Sequence, residues 1–376
     1  MKYFRTTLYL AIFTACYAPI LFYYALSWPP ALDEGIILER MKRAPSAFDT
    51  RNDYYYAVEH PAIYRWIGRG VLRLFRVEIG DVPKVDLTKS LEWNVENGRT
   101  APRRPVLVLR AVNVVLLVGA LVALFFLARI AFGGYAWGFV LAAPIALPPA
   151  LGRYIGGYIL TDAYLTFFLA ATLLAWVVFH HRPKPASIIY VIAIGVLLGF
   201  TISAKLNGAL ILLAYVAYLA VVARGPDRVW LPFVAVLAAS TTFVALNPVM
   251  QKGGLLWPAL VARDMIAARS EVYQAHNQFF GYKGTWGILL FMFPHWYLLP
   301  LLIAPILKAR TETWFPPVFL WSTFLVLGTA LTIEQPFNRY LMPINLGLTA
   351  LVMMSAIAVA RRLYARQIQL ADLLKP

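Results

Sequence analysis

The 376-residue chain has ten apolar stretches, several of them long enough to cross a lipid bilayer, so the expected fold is a helical bundle that crosses a membrane many times. A hydrocarbon core of about 30 Å takes roughly 18–20 apolar residues of helix. Inside it the backbone must satisfy its own N–H and C=O groups, which leaves helices or closed barrels as the spanning structures. The stretches lie at residues 6–28, 105–128, 134–151, 160–180, 187–203, 206–223, 229–247, 286–307, 314–332 and 340–360, with very short turns near Gly134 and Lys205. Apolar residues make up 61% of the chain and charged ones 14%, against about 45–50% and about 25% in a soluble domain. The first stretch is long for a signal-peptide core and no small-residue cleavage site follows it, so it reads as a retained span.

The cations show how such a bundle would sit. With a cytoplasmic N-terminus, one side receives Lys2, Arg5, Arg129, Arg182, Lys184, Arg224, Arg228, Lys308, Arg310, Arg361, Arg362 and Arg366, while the short loops opposite receive little beyond Arg153 and Lys205. That bias places both termini in the cytoplasm of a cell membrane. The net charge of +16 then serves orientation and contact with lipid headgroups, and no nucleic-acid partner is expected. Cys16, the only cysteine, lies within the first stretch, which excludes an intrachain disulfide and a cysteine-based zinc site.

The expected architecture is therefore all-α and polytopic: a single transmembrane domain over residues 1–376 with no separate soluble domain. Two loops on the non-cytoplasmic side, 29–104 and 248–285, do not span, and long loops in a compact fold are usually functional. The first contains an amphipathic helical pattern, with Ile63, Ile67, Val71 and Leu74 on one face and Arg65, Arg69, Arg73 and Arg76 on the other. That spacing suits a helix lying in the membrane interface with its arginines toward lipid phosphates, whether as a working part or only as a rest.

Acids cluster on the same non-cytoplasmic side. Asp33 and Glu34 follow Trp28-Pro29-Pro30 at the outer end of the first span. Partial burial of adjacent carboxylates raises at least one pKa, and such a group can take a proton from an incoming hydroxyl or amine. Asp33 would equally cap a helix over 34–43. Asp162 opens the fourth span between Tyr158 and Tyr164, either as a cap or as a membrane-edge functional acid. Glu59-His60-Pro61 adds an acid and an imidazole before the amphipathic helix. Lys205, Arg339 and Arg153 are kept where the orientation rule disfavours them. Binding an anionic phosphate explains that, and so does pairing with Asp33, Asp162 or Glu334.

These motifs, in this order, resemble the GT-C superfamily of membrane glycosyltransferases, particularly the protein O-mannosyltransferase and lipid A aminoarabinose transferase group. The resemblance rests on Asp33-Glu34, Glu59-His60-Pro61, Thr161-Asp162-Ala163 with Leu165-Thr166-Phe167-Phe168, and Arg339-Tyr340-Leu341-Met342-Pro343, from Tyr3 to about Ala360. It implies transfer of a sugar from a polyprenyl-phosphate donor to a lipid, glycan or protein acceptor, on the non-cytoplasmic side and with inversion. By matched position it makes Asp33 the base, Glu34 its helper and Asp162 a second acid of the site. It gives Arg339 and Lys205, with Arg153 near them, to the donor phosphate. The chain has Glu59-His60-Pro61-Ala62 where the family often has His-Pro-Pro or Glu-Lys-Pro-Pro. A divalent metal, as in some relatives, would fall to Glu59 and His276 with His60 nearby, too few ligands to define a site. No Walker-type loop or Asp-x-Asp pair stands out. The alternative class, a transporter or flippase of lipid-linked glycans, would need polar groups at the membrane midplane and a duplicated half. The polar residues named above lie at one face instead, with Pro294-His295, inside the eighth span, as the main exception.

Overall fold

The computed structural model describes residues 2–27, 32–42, 62–84, 86, 91–146, 161–182, 187–247, 299–332 and 342–373. Regular structure among them is helical throughout: α1 (Lys2–Ser27), α2 (Leu32–Lys42), α3 (Ile63–Leu74), α4 (Leu91–Glu96), α5 (Arg103–Phe132), α6 (Ala136–Ala146), α7 (Thr161–His180), α8 (Ile188–Ala204), a 3-10 turn (Leu206–Gly208), α9 (Ala209–Val222), α10 (Asp227–Leu246), α11 (Leu299–Ala309), α12 (Phe315–Thr332) and α13 (Met342–Leu373). Five segments are long and apolar enough to cross a membrane: Phe4–Ser27, Arg103–Phe132, Thr161–His180, Asp227–Leu246 and Leu346–Ala365. Ile188–Ala204, Leu206–Val222 and Phe315–Gly328 are shorter apolar helices. Eight of the ten expected windows thus carry an apolar helix. The third is described only as far as Ala146 and the eighth only from Leu299, so the described residues form a polytopic bundle without fixing ten as its number.

Glycine decides how the helices stop and how closely they approach. Gly133 ends α5 in the left-handed region at φ 76°, and its N–H returns to the Arg129 carbonyl at 2.7 Å, the usual glycine C-terminal cap. Gly138 then lies against the Phe125 ring, so α6 can fold back along α5. On α8, Gly195 and Gly199 sit four residues apart against Ala235, Ala238, Ala239 and Thr242 of α10. A Cβ at Gly195 would fall 2.7 Å from the Ala238 Cβ, and one at Gly199 would fall 2.7 Å from the Ala239 carbonyl oxygen. Lipid gives apolar helices little reason to cluster, so such close backbone approach and its dispersion contacts drive the association. Aromatic packing serves α1, where Phe13 and Tyr17 meet Phe125 and Phe139, and the Tyr17 hydroxyl donates to the Phe139 carbonyl at 2.9 Å.

The bundle has two chemically different ends. At one, Thr6 bonds Tyr135 at 2.8 Å, Arg129 stacks over Tyr135, and Arg361 lies over Phe132. There too, Arg362 binds Glu312 at 2.7 Å and His181 bonds Thr313 at 2.9 Å. Arg129, Arg361 and Arg362, expected to share one side, meet there. The opposite ends of α1, α5, α7, α8 and α10 carry Ala25, Arg110, Asp162, Lys205 and Asn247, and α2 and α3 pack beside them.

α3 corrects the amphipathic reading. The helix forms as expected, but its buried side is Ile63, Tyr64, Arg65, Gly68 and Leu72. Leu74, assigned to the apolar face, is 77% exposed, and Arg65, assigned to the cationic face, is 5% exposed. The reason is Gly68: a Cβ there would lie 2.7 Å from Met41 Cε and 3.1 Å from Leu109 Cδ2. The helix therefore docks onto α2 and α5 through its glycine, which rotates the expected faces. Trp66 and Leu74 are left outward beside exposed Arg73.

Candidate active site

Glu34 is completely buried, which a carboxylate tolerates only with charge and hydrogen bonds around it. Arg110, two turns into the apolar α5, supplies both: its Nε and Nη2 donate to Oε1 and Oε2 of Glu34, each at 2.8 Å. The remaining Nη1 donates to the Ala25 carbonyl at 3.0 Å, near the end of α1. The guanidinium fork thus joins α1, α2 and α5 in one fixed geometry. Asp33 sits in the first turn of α2, directly before Glu34. With α2 beginning at Leu32, Asp33 is a first-turn residue and not the cap of a helix over 34–43. Its side chain lies outside what the structure describes.

Asp162 occupies the first turn of α7, where the helix dipole favours a negative group. Lys205 reaches it with Nζ 2.9 Å from Oδ1, and the side chains are 9% and 4% exposed. The lysine projects from a break between α8 and the 3-10 turn, with extended backbone at φ −162° and ψ 140°. Gly208 keeps that break tight, since a Cβ there would fall 2.7 Å from the Thr201 carbonyl carbon and oxygen. Of the two readings of Lys205, pairing with an acid is the arrangement observed, and Asp162 is the partner.

A third polar knot ties α3 to this end. Asn247, directly after α10, accepts the Ala62 N–H on Oδ1 at 2.6 Å and donates through Nδ2 to Ser203 Oγ at 3.0 Å. Buried Tyr64 lies close to Arg65 and Arg40, and close to Tyr164 on α7. Burial pushes the Tyr64 phenol above its usual pKa, outweighing the two arginines that pull it down, so it remains a neutral hydroxyl.

Of the expected site residues, Glu34, Asp162 and Lys205 fall at one end of the bundle within two buried acid–cation pairs. Arg153, Glu59, His60, His276, His295, Glu334 and Arg339 lie outside the described residues. Among the described residues no three histidine, cysteine, aspartate or glutamate side chains come together as a metal site would require. Sequence reasoning missed Arg110 and Asn247, and it turned Arg65 toward lipid phosphates. Arg110 did leave a signal, since an arginine inside an apolar span demands a partner.

The geometry now meets the known proteins. The family model for dolichyl-phosphate-mannose-protein mannosyltransferase matches residues 86–251. ArnT from Cupriavidus metallidurans in the apo state superposes with a TM-score of 0.57 at 16% identity, covering 98% of this chain and 63% of that one. The same enzyme bound to undecaprenyl phosphate gives 0.55 at 17% identity, with the same coverages of 98% and 63%. The chain has the GT-C fold. A second GT-C structure, the Archaeoglobus fulgidus oligosaccharyltransferase in complex with Zn and sulfate, agrees at a TM-score of 0.54 and 15% identity, over 97% of this chain and 51% of that one. No curated protein matches the sequence significantly. Within the GT-C fold the chain is similar to the protein O-mannosyltransferase and ArnT group, and it spans somewhat under two-thirds of the length of ArnT.

Proposed function

We propose that the chain is a glycosyltransferase that moves a sugar from a polyprenyl-phosphate donor to an acceptor hydroxyl or amine. The observation that carries this reading is the pairing of two buried acids with two cations at a single end of a GT-C bundle. Asp33, held one residue before the clamped Glu34, takes the acceptor proton. The acceptor's lone pair then forms the new bond at the anomeric carbon, and the bond from that carbon to the donor phosphate oxygen breaks with inversion. The electron pair leaves on the lipid phosphate, where cationic charge stabilises it. Lys205 supplies that charge by shifting from Asp162, and Arg339 and Arg153 complete the phosphate site. Glu34 and Arg110 hold α2 in place, and Asp162 keeps Lys205 desolvated and aimed until donor arrives.

The site faces away from the cytoplasm, as the arginines gathered at the opposite end favour. The sugar and the acceptor class are left open by this chemistry, which asks only for a phosphate leaving group and a protonated nucleophile.

The test is transfer of radiolabelled sugar from synthetic polyprenyl-phosphate donors by the purified protein. Asp33→Asn is expected to lower kcat by about 10²–10⁴-fold while thermal unfolding is unchanged. Wild-type rates from the variant would remove the base assignment. Translocation of glycolipid in liposomes without transfer would replace the enzyme with a transporter. Sidedness is read separately: a cysteine placed at Asp49 should react with impermeant reagent from the non-cytoplasmic side, and reaction from the cytoplasm alone would reverse the topology.

A further inference from the structure

We infer that Asn247 is a positioning residue that sets the register between α3 and the lysine proposed to receive the donor phosphate, an inference that rests on the reading above. It comes from an unusual cap. Ala62 is the N-cap of α3, and its own N–H is one of the four the helix cannot pair. A glutamate or glutamine three residues on serves it in a capping box, but Arg65 stands there and has no acceptor. The acceptor for Ala62 N–H instead arrives from 185 positions away, as Asn247 Oδ1 at 2.6 Å.

The orientation of that amide is fixed by its surroundings. The Ala62 N–H can only donate, so it must face the amide oxygen. The Phe243 carbonyl, 2.7 Å from Nδ2, can only accept, so it must face the amide nitrogen. The second amide hydrogen goes to Ser203 Oγ at 3.0 Å, two residues before Lys205. Asn247 is 1% exposed, so water does not substitute for these partners. Next to it the Leu246 carbonyl accepts from Trp66 Nε1 at 2.9 Å, one turn further along α3. A single side chain therefore connects three things: the start of the helix carrying Tyr64 and Arg65, the end of α10, and the end of α8 where the chain breaks to aim Lys205 at Asp162.

Other side chains of this size fail here for separable reasons. Aspartate keeps an acceptor for Ala62 but turns a second acceptor toward Phe243 and Ser203. Leucine fills the space and loses all three bonds. Both lysine and acid of the pair at Lys205 remain in either variant, so any change in phosphate handling comes from position.

The experiment measures polyprenyl-phosphate binding, sugar transfer and amide hydrogen exchange on full-length protein in detergent. Asn247→Leu is expected to weaken binding of undecaprenyl phosphate by about tenfold and to speed exchange of the Ala62 amide. Asn247→Asp is expected to keep Ala62 protected while still weakening the lipid phosphate. In a Lys205→Ala background, Asn247→Leu should change binding less than about twofold, because the two act on one interaction. Full additivity with Lys205→Ala, or wild-type binding by a folded Asn247→Leu, overturns the inference while leaving the transferase reading in place. Wild-type protein that neither binds the lipid phosphate nor transfers sugar overturns both. If Asn247→Leu fails to fold, Ser203→Ala removes only the link toward Lys205 and must itself weaken binding, or the inference falls.

Discussion

The two buried ion pairs look alike in a list of contacts and differ in what they can do. Glu34 meets a planar guanidinium that fills both carboxylate oxygens and spends its third nitrogen on the Ala25 carbonyl. Asp162 meets one ammonium through one oxygen, from a lysine that leaves a break in the chain. A fork with five fixed donors is a clamp, whereas a point charge on a flexible stem can turn to a new anion. The first pair fixes backbone, and the second is the one that the proposed function asks to exchange partners.

Breaking the clamp should have the largest effect. Arg110→Leu leaves the Glu34 charge buried without its cation, which costs about 3–5 kcal/mol and should appear as a large fall in the unfolding temperature of detergent-solubilised protein. The double variant Glu34→Leu/Arg110→Leu should regain most of that stability and none of the transfer activity. A single variant as stable as the double would show that the pair is not the clamp.

Lys205→Ala should be milder for the fold and selective for the ligand. Asp162 lies in the first turn of its helix, where the dipole keeps stabilising the charge, so losing the lysine should cost about 1–3 kcal/mol. Donor KM should meanwhile rise by about tenfold, read from initial rates against donor concentration. Equal damage to stability from Lys205→Ala and Arg110→Leu would erase the distinction between the pairs.

Gly208→Ala tests the aim of the lysine and leaves its charge alone. The new methyl meets the Thr201 backbone, and relieving it should cost about 1–3 kcal/mol and raise donor KM with little effect on kcat for saturating donor. The smallest effect is expected from Arg73→Ala on the outer side of α3, below about 0.5 kcal/mol in unfolding experiments. A larger loss there would return the helix to the orientation read from its sequence.

That orientation shows where sequence reading stops. The apolar windows predicted eight described helices because hydropathy is a local property of chain and solvent. Three of the cations expected on one side, Arg129, Arg361 and Arg362, do meet at one end of the bundle. Periodicity placed α3 correctly yet misassigned its faces, because the choice depended on Gly68 finding Met41 and Leu109. Glu34 was singled out as a helper of Asp33, but its partner is 76 positions away on another helix. Asn247 was passed over because a cap is sought beside the helix it serves, and this one comes from across the bundle. Asp162 and Lys205 were both named from sequence, with Asp162 one of three acids offered as partners for the cations, and the structure selects that pairing.

The glycine seam of α8 and α10 bears on how a site like this can change over time. Two helices whose backbones interlock at Gly195 and Gly199 cannot slide by fractions of a turn, and the next comparable fit lies a full pitch away, about 5.4 Å. Lys205 and Asn247 sit at the ends of those two helices. Their separation is therefore quantised, and mutation cannot adjust it in small steps. On the proposed function, a change of donor would therefore have to be met away from this seam.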